Sequence, residues 1–154
     1  MATIRLFLTL SVALVLAVAP GLAAGADSDV TAEIGQMLRA FTQAFSNKDI
    51  DGVMGFYAPD AILMGTGPGE RYDGTEGIRE AYGQFFQAYD KQTTEQTWIK
   101  VWGKGDVAWA MAMDQFTLYY KNVKSEYALN SSATFEKRGG KWVFVSHHFS
   151  NLTR

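Results

Sequence analysis

The sequence contains no cysteine, and this absence excludes several kinds of structure. Disulfide bonds cannot stabilise the fold, thiolate metal sites cannot form, and no lipid can be attached to a cysteine. Histidine is also scarce, with two residues, and proline occurs three times. The fold must therefore be held by its apolar core, for which 10 Phe, 7 Tyr and 4 Trp residues provide large buried areas.

A strong charge of either sign is absent as well. Lys and Arg total 14 against 16 for Asp and Glu, and the basic residues form no cluster. This balance argues against nucleic acid or an anionic membrane as a partner. The sequence also has no serine at a nucleophile elbow and no glycine loop directly before a helix, so covalent hydrolysis and nucleotide binding are disfavoured. We expect no cofactor.

The first residues resemble an export signal. Arg5 is followed by an uncharged, mostly apolar run at 6–19, and small residues at 24–26 suit a signal peptidase. The run is shorter than the roughly 20 residues that a membrane-spanning helix needs. We therefore predict cleavage after Ala26, with Ala24 as the second choice.

This prediction divides the chain into a signal peptide, 1–26, and one domain, 27–154. Removal of Arg5 makes the formal net charge of −2 one unit more negative. The mature protein is expected to be periplasmic or secreted and to have no membrane contact after signal cleavage.

Helical spacing dominates the first half of the domain. Residues 29–46 are predicted to form an amphipathic helix capped by Ser28 or Asp29, and 75–89 another helix. The first of these helices has its apolar side chains at Ile34, Met37, Leu38, Phe41 and Phe45.

Between these helices we predict a short second helix capped by Asp49, with Val53, Phe56 and Tyr57 facing inward. A strand is predicted at 61–64. A glycine- and proline-rich loop then follows at 65–69.

The period changes to two in the second half. Long strands rich in aromatic and β-branched residues are predicted at 93–102, 107–121, 125–138 and 141–151, with hairpin turns at 103–106 and 139–140. Helices followed by such strands indicate an α+β fold. We expect a cone-shaped cup in which about three N-terminal helices pack on a strongly curved, mostly antiparallel sheet.

With these motifs the chain resembles the nuclear transport factor 2-like superfamily, and within it the SnoaL-like and ketosteroid-isomerase-like proteins. The resemblance rests on residues 47–52, 56–61 and 74–78, and on Trp142 in a Trp…His-x-Ser ending with His148 and Ser150. It covers nearly the whole of 27–154. It implies a cup with a pocket, but this fold hosts enzymes, ligand carriers and assembly domains.

The resemblance does not extend to the steroid-isomerase residues. Aligned without gaps over 41–65, that pattern puts Phe41 where those enzymes have a tyrosine and Gly65 where they have an aspartate base. The third position of the pattern, a protonated aspartate on a later strand of those enzymes, falls at Ser131 or Ser132. Phenylalanine cannot donate to an oxyanion and glycine cannot accept a proton, so ketosteroid isomerisation is excluded.

Three residues are candidate acid–base groups: His148, Asp114 and Glu70. His147 and His148 should point to opposite sides of a regular strand, so at most one reaches the pocket. The family-like ending favours His148, with packing on the sheet as the alternative. Asp114 lies in an apolar strand and would have a raised pKa if it faced the pocket, or else it lies on the convex face. Glu70 follows the glycine loop, either at the pocket mouth or paired with a surface charge such as Arg71.

Adjacent histidines also suggest a metal, but opposed side chains cannot chelate one ion. We expect no metal site. Candidate ligand-binding residues are aromatic or small polar groups, with ordinary core packing as the alternative for the rings. They are Tyr57, Tyr82, Trp98, Asn130, Ser132 and Trp142.

The sequence therefore supports three hypotheses. The first is an exported protein that binds a small, apolar organic ligand. The second is an acid–base isomerase, cyclase or hydratase of the SnoaL-like type. The third is a dimerising or assembly module, and we expect a homodimer in each case.

Overall fold

The computed structural model describes residues 23–151, with side chains from Asp29 onward. Most of the predicted signal peptide lies outside this range, and its cleavage after Ala26 stays a prediction. Within the described residues, no helix is both long enough and apolar enough to cross a membrane.

The described part of the chain is an α+β fold, as predicted: helices followed by a curved, mostly antiparallel six-stranded sheet. The elements are α1 (Ala23–Ser46), α2 (Ile50–Met54), β1 (Tyr57–Met64), β2 (Arg71–Asp73), α3 (Gly74–Ala88), β3 (Lys91–Lys104), β4 (Val107–Tyr120), β5 (Val123–Arg138) and β6 (Lys141–Asn151). Strand order is β2-β1-β6-β5-β4-β3, and only the β1–β6 pair is parallel.

Most predicted elements are present, with three differences. Helix α1 begins at Ala23 rather than at 29, and the short strand β2 was not predicted. Tyr57 belongs to β1 rather than to the second helix, because α2 ends at Met54 with Gly55 as its C-cap. The strand start is anchored by Phe144 N–H, which donates to Phe56 O at 2.8 Å.

The turn after α1 connects three helices. Lys48 has a φ of +57°, and the next residue, Asp49, caps α2 by accepting a hydrogen bond from Gly52 N–H at 2.9 Å. The Lys48 ammonium donates to the carbonyl oxygens of Phe86 (2.9 Å) and Tyr89 at the end of α3. A cation suits these carbonyls because the C-terminal end of a helix is electronegative.

The core lies between the helices and the concave face of the sheet. Phe41 and Phe45 of α1 contact rings from α3 and from the sheet, including Tyr82 and Phe144. Phe144 is fully buried and also packs on Phe135 with ring centroids 4.9 Å apart. These contacts attach α1 and α3 to the same part of the concave face.

A bulge in β3 reverses the direction of its side chains. The pairing with β4 shifts between Gln96 and Trp98, so Thr97 is an extra residue. Gln96 lies on the concave side before the bulge, and Ile99 after it. Trp98 therefore points to the convex side and is 49% exposed.

A second bulge has the same effect in β6. Thr134 pairs with Ser146, whereas the next residue of β5 pairs with Phe144, which leaves Val145 unpaired. Phe144 faces the helices before this bulge, and His147 faces them after it. A strand without the bulge would have placed His148 there instead.

Candidate functional site

A cavity of about 970 Å³ opens between the helices and the concave face of the sheet. Its lining is mainly apolar, and β4 and β5 contribute the small side chains of Ala110, Ala112 and Ala133 beside larger ones such as Phe116 and Leu129. At this end of β4 the large side chains, Trp109, Met111 and Met113, point to the opposite face and are exposed. Along 108–113 this alternation of small inward and large outward residues leaves room for the hollow.

The first polar group in the cavity wall consists of Tyr57, Tyr82 and His147, which we call the Tyr–His chain. The Tyr57 hydroxyl lies 2.7 Å from the Tyr82 hydroxyl and 2.7 Å from His147 Nδ1. Tyr82 and His147 line the cavity, and Tyr57 lies behind them. The three side chains come from β1, α3 and β6, so tertiary packing alone brings them together.

The surroundings of His147 keep its ring neutral. Its imidazole stacks on Phe144 at 4.4 Å and lies 4.3 Å from the Phe149 ring. Burial, with a smaller contribution from His148, lowers the pKa of His147 to about 3. Burial also raises the pKa values of Tyr57 and Tyr82, so all three groups are uncharged at neutral pH.

The second ring nitrogen of His147 opens on the cavity. Among the described residues, Nε2 has no hydrogen-bond partner. An unpaired side-chain atom that solvent cannot reach occurs among the described residues at Gln92 Oε1. His147 Nε2 is unpaired but is not closed off from solvent in this way. Nε2 is therefore accessible to a molecule inside the cavity.

A second polar group lies on β4 and β5, where Ser131 donates to Asp114 Oδ2 at 2.6 Å. Both residues line the cavity, together with Gln96 of β3. Burial raises the pKa of Asp114, and hydrogen bonds from Ser131 and Gln96 oppose this rise in part. A raised pKa was the property that we expected of Asp114 if it faced the pocket.

The two polar groups contact different parts of the cavity. His147 pairs with Ala133, which pairs with Ala110, and Asp114 lies four residues further along β4. With about 3.3 Å per residue and 4.8 Å between strands, their Cα atoms are roughly 15 Å apart along the sheet. They would therefore contact opposite ends of one ligand across an apolar middle.

Glu70 lies at the mouth of the cavity, but its carboxylate is used by its own loop. Gly67 N–H donates to Glu70 Oε2 at 2.8 Å, and Gly65 N–H donates to Glu70 O at 2.8 Å. The alternative partner, Arg71, pairs with Asp73 instead. A methyl group at Gly67 would lie 2.9 Å from the Glu70 carboxyl carbon, so it would displace this carboxylate.

Several predicted pocket residues lie elsewhere, and these expectations are corrected. His148 and Trp98 are exposed on the convex face, because each follows a bulge that the sequence does not reveal. Asn130 and Ser132 share that face, since they pair with the outward Met113 and Met111. Their roles in ligand binding or catalysis gain no support from these positions.

Trp142 is buried but does not line the cavity. Its indole N–H donates to Glu33 Oε2, which also accepts from Lys137 Nζ at 2.8 Å. It borders a separate surface groove between α1 and the β5–β6 hairpin. Of the predicted ligand-binding residues, Tyr82 lines the cavity and Tyr57 contacts it through two hydrogen bonds.

Sequence reasoning missed Ser131 and Gln96 and preferred the wrong histidine for the cavity. The alanines at 108, 110 and 112 were the available signal, because they alternate with large side chains along β4. They mark the concave face, and pairing with β4 then assigns Ser131 to it. Among residues 29–151, no three His, Asp or Glu side chains lie together as metal ligands would.

Solved structures confirm the fold. A candidate scytalone dehydratase from Novosphingobium aromaticivorans has a TM-score of 0.76 and 10% identity, over 82% of this chain and 86% of that one. A nuclear transport factor 2-like superfamily protein from Salmonella enterica has a TM-score of 0.75 and 18% identity, over 82% and 94%. A candidate calcium/calmodulin-dependent protein kinase II association domain from Xanthomonas campestris has a TM-score of 0.73 and 27% identity, over 79% and 87%.

No curated protein matches the sequence. The family model described as the SnoaL-like domain matches residues 34–154, which is more than half of the chain. The match includes α2, α3, all six strands and most of α1. The chain therefore belongs to the SnoaL-like domain family, as the sequence motifs had indicated.

Proposed function

We propose that this protein binds a small, mainly apolar organic molecule in the cavity. The observation that carries the proposal is an open hollow of about 970 Å³ with alanines on its floor and aromatic rings on its walls. Ligand sites are commonly apolar clefts of this size with a few polar groups that orient the ligand. Here the Tyr–His chain and the Asp114–Ser131 pair supply those groups.

The proposal is tested with N-phenyl-1-naphthylamine, an uncharged fluorescent probe. Ala112→Trp places an indole in the cavity, whereas Met111→Trp places one on the convex face of the same strand. We expect probe fluorescence to rise with the wild type and with Met111→Trp, and to be lost with Ala112→Trp. Undiminished binding by folded Ala112→Trp would show that the probe binds elsewhere. Native mass spectrometry of protein purified from its own host would reveal a retained natural ligand.

The predicted acid–base trio has less support as an alternative. His148 lies on the convex face, and of the two carboxylates that line the cavity, that of Glu70 is held by its own loop. The names of solved structures at 10–21% identity indicate dehydratase or hydroxylase candidates, but at this identity the likeness concerns the fold.

We also propose a homodimer that buries the convex face of the sheet. Eight large apolar side chains on this face are 38–55% exposed. Three of them are tryptophans, with areas of about 150–250 Å² each, and with the five aliphatic and methionine side chains they expose on the order of 700 Å². A standard interface needs roughly 800 Å² per partner. The eight are Ile62, Met64, Trp98, Trp102, Val107, Trp109, Met111 and Met113.

Sedimentation velocity tests the dimer. Met111→Glu puts a charge in the middle of the patch and should shift the protein to monomer. Tyr120→Glu is the matched control, because Tyr120 is similarly exposed, at 52%, but lies at the end of β4. A monomeric wild type, or a dimer that both variants retain, would contradict this interface.

Export is the remaining proposal, and it rests on the features of residues 1–26 alone. Expression of the full chain followed by cell fractionation should place the product outside the cytoplasm. N-terminal sequencing should then begin at Asp27. A cytoplasmic product that retains Met1 would refute it.

A further inference from the structure

The side chains that β4 directs into the cavity change in character along the strand. Ala110 and Ala112 form an apolar floor, and Asp114 and Phe116 follow them on the same face. Successive residues on one face of a strand are about 6.6 Å apart. A carboxyl group and an aromatic ring therefore lie side by side at one end of the alanine floor.

This end of the floor is the outer end of the cavity. Tyr127, which pairs with Phe116 and also lines the cavity, is 46% exposed. At the other end of the floor, Phe135 and Phe144 are fully buried. A ligand on the alanines would therefore have its apolar body inside, and the group that contacts Asp114 would lie closer to solvent.

The Asp114 carboxylate can accept more hydrogen bonds than the protein gives it. Ser131 donates to Oδ2 at 2.6 Å, and Gln96 also donates to this carboxylate. An ionised carboxylate has about four acceptor sites, so these two donors leave about two for a ligand. A donor inside the cavity therefore has a place to bind.

The charges around the cavity leave Asp114 without a counterion. Among the described residues that line the cavity, Arg39 is the only lysine or arginine, and it is exposed on α1. Burial raises the pKa of Asp114, and no cation of the described residues opposes this rise. The Tyr–His chain at the other polar place is uncharged, and the Glu70 carboxylate is held by its loop. A cationic group of a ligand would therefore be bound at Asp114.

Resting on the proposed function, we propose that the ligand is a lipophilic amine whose ammonium group pairs with Asp114. The ammonium donates to the carboxylate and favours its charged form. The face of an aromatic ring attracts a cation, and Phe116 provides a ring beside this carboxylate. The apolar body lies on Ala110 and Ala112, and the far end of the ligand meets the neutral Tyr–His chain.

An organic cation suits this place better than a metal ion or a neutral donor. Among residues 29–151, no three His, Asp or Glu side chains lie together, whereas Ca²⁺ and Mg²⁺ take six or more ligands. A neutral alcohol could donate to Asp114, but it would leave the charge of a half-buried carboxylate uncompensated.

The first experiment compares three ligands of similar shape and different charge. At pH 7, 1-naphthylmethylamine is a cation, 1-naphthylmethanol is neutral and 1-naphthoic acid is an anion. Each is titrated against the full-chain protein with bound N-phenyl-1-naphthylamine. We expect the amine to bind about 10-fold more tightly than the alcohol, which is the scale of a hydrogen bond to a charged group. The acid should bind more weakly than the alcohol.

Asp114→Asn should remove the preference for the amine and leave the affinity for the alcohol nearly unchanged. Glu95→Gln is the matched control, because it removes an exposed carboxylate from the neighbouring strand β3. This control should keep the preference of the wild type. A preference for the amine that survives in folded Asp114→Asn would overturn the inference.

The second experiment uses the melting temperature to locate the ammonium group. Without ligand, Asp114→Asn should melt above the wild type at pH 7, because it has no charge to bury. Saturating 1-naphthylmethylamine should reverse this order, since a ligand stabilises most the variant that binds it most tightly. 1-Naphthylmethanol should preserve the order. Equal increases in both proteins with the amine would contradict a contact with Asp114.

The neutral ligands separate this inference from the proposed function. If the probe and the alcohol bind but the amine gains no affinity over the alcohol, small-molecule binding stands and the amine is rejected. Tighter binding of the acid than of the alcohol would indicate Arg39 as the counterion and would also reject the amine. Failure of the probe and all three ligands to bind would overturn the proposed function and the inference together.

Discussion

Ser131 on β5 donates a 2.6 Å hydrogen bond to Asp114 Oδ2 on β4 inside the cavity. The bond is diagonal across the strands, because Asp114 pairs with Leu129 and Ser131 with Ala112. It holds a carboxyl group against an apolar surface, where the uncharged form is favoured. The stability of the folded protein should therefore depend on the protonation state of Asp114.

Asp114→Asn should stabilise the protein at neutral pH. Burial raises the pKa of Asp114 in the folded state, so the folded chain binds the proton more tightly than the unfolded chain. The contribution of Asp114 to the free energy of unfolding is fully present below the ordinary carboxyl pKa. It is lost as pH rises through the raised pKa of the folded state. The melting temperature of Asp114→Asn should exceed that of the wild type by a few degrees at pH 7, with the gain shrinking toward pH 3.

The control for this prediction is Glu95→Gln, which changes an exposed carboxylate on the neighbouring strand β3. Its melting temperature should follow that of the wild type at each pH. An equal gain for Asp114→Asn at pH 3 and pH 7 would show that burial of the charge is not the cause.

His147 should make the protein sensitive to acid. Its pKa is lowered to about 3 by burial, against an ordinary value of 6.5. Because this pKa is lowered, the unfolded chain binds a proton at His147 at a higher pH than the folded chain does. The free energy of unfolding therefore decreases as pH falls from about 6.5 toward 3. Urea denaturation of the wild type at pH 7 and pH 4 should show a loss on the order of a few kcal/mol. His147→Gln should lose less over this interval.

His148→Gln is the matched control for this measurement, because the two histidines are adjacent but on opposite faces of β6. Only the buried one should alter the slope of stability with pH. If His148→Gln reduced the acid sensitivity as much as His147→Gln, the assignment of faces would be wrong.

Lys48→Met should loosen the end of α3. The Lys48 ammonium bonds two carbonyl oxygens there, and a methionine would leave them unpaired in a half-buried place. Hydrogen bonds to charged groups contribute about 1.5–3 kcal/mol, so we expect a loss of about 2 kcal/mol in urea denaturation. Lys104→Met, an exposed control at the end of β3, should be nearly neutral. Equal losses in both variants would exclude a capping role.

Gly67→Ala and Glu70→Ala should be non-additive. A methyl group at Gly67 displaces the Glu70 carboxylate and breaks its bond to Gly67 N–H, whereas Glu70→Ala removes that carboxylate beforehand. The double variant should therefore be about as stable as Glu70→Ala alone. Gly83→Ala in α3 serves as the control, because a methyl group added there meets open space. It should raise the free energy of unfolding by about 0.5–1 kcal/mol. Additive losses at 67 and 70 would disprove the steric link.

Element type was predictable because it depends on neighbours in the sequence. The spacing of Ile34, Phe41 and Phe45 predicts α1, and Asp49 predicts the start of α2, where the structure has it as the N-cap. Alternation over 107–121 predicts β4, which ends at Tyr120, although the prediction assigns Tyr57 to a helix that ends three residues earlier. The motifs at 47–52 and 56–61 also indicated the family.

The composition of the site was less predictable. Tyr82 and Asp114 were selected from their residue type and element, and both line the cavity. Trp98, Asn130 and Ser132, predicted by the same reasoning, lie on the other face, as does His148, which the family-like ending favours. Residue type suggested the chemistry, but it could not give the direction of a strand side chain.

Local periodicity and caps thus determined the helices and the long strands, because these depend on interactions within a few residues of the chain. Tertiary structure decided which face of each strand became the cavity. The bulges at Thr97 and Val145 arise from pairing with residues distant in sequence, and each reverses every side chain that follows. For that physical reason His147, rather than His148, meets Tyr57 in the cavity wall.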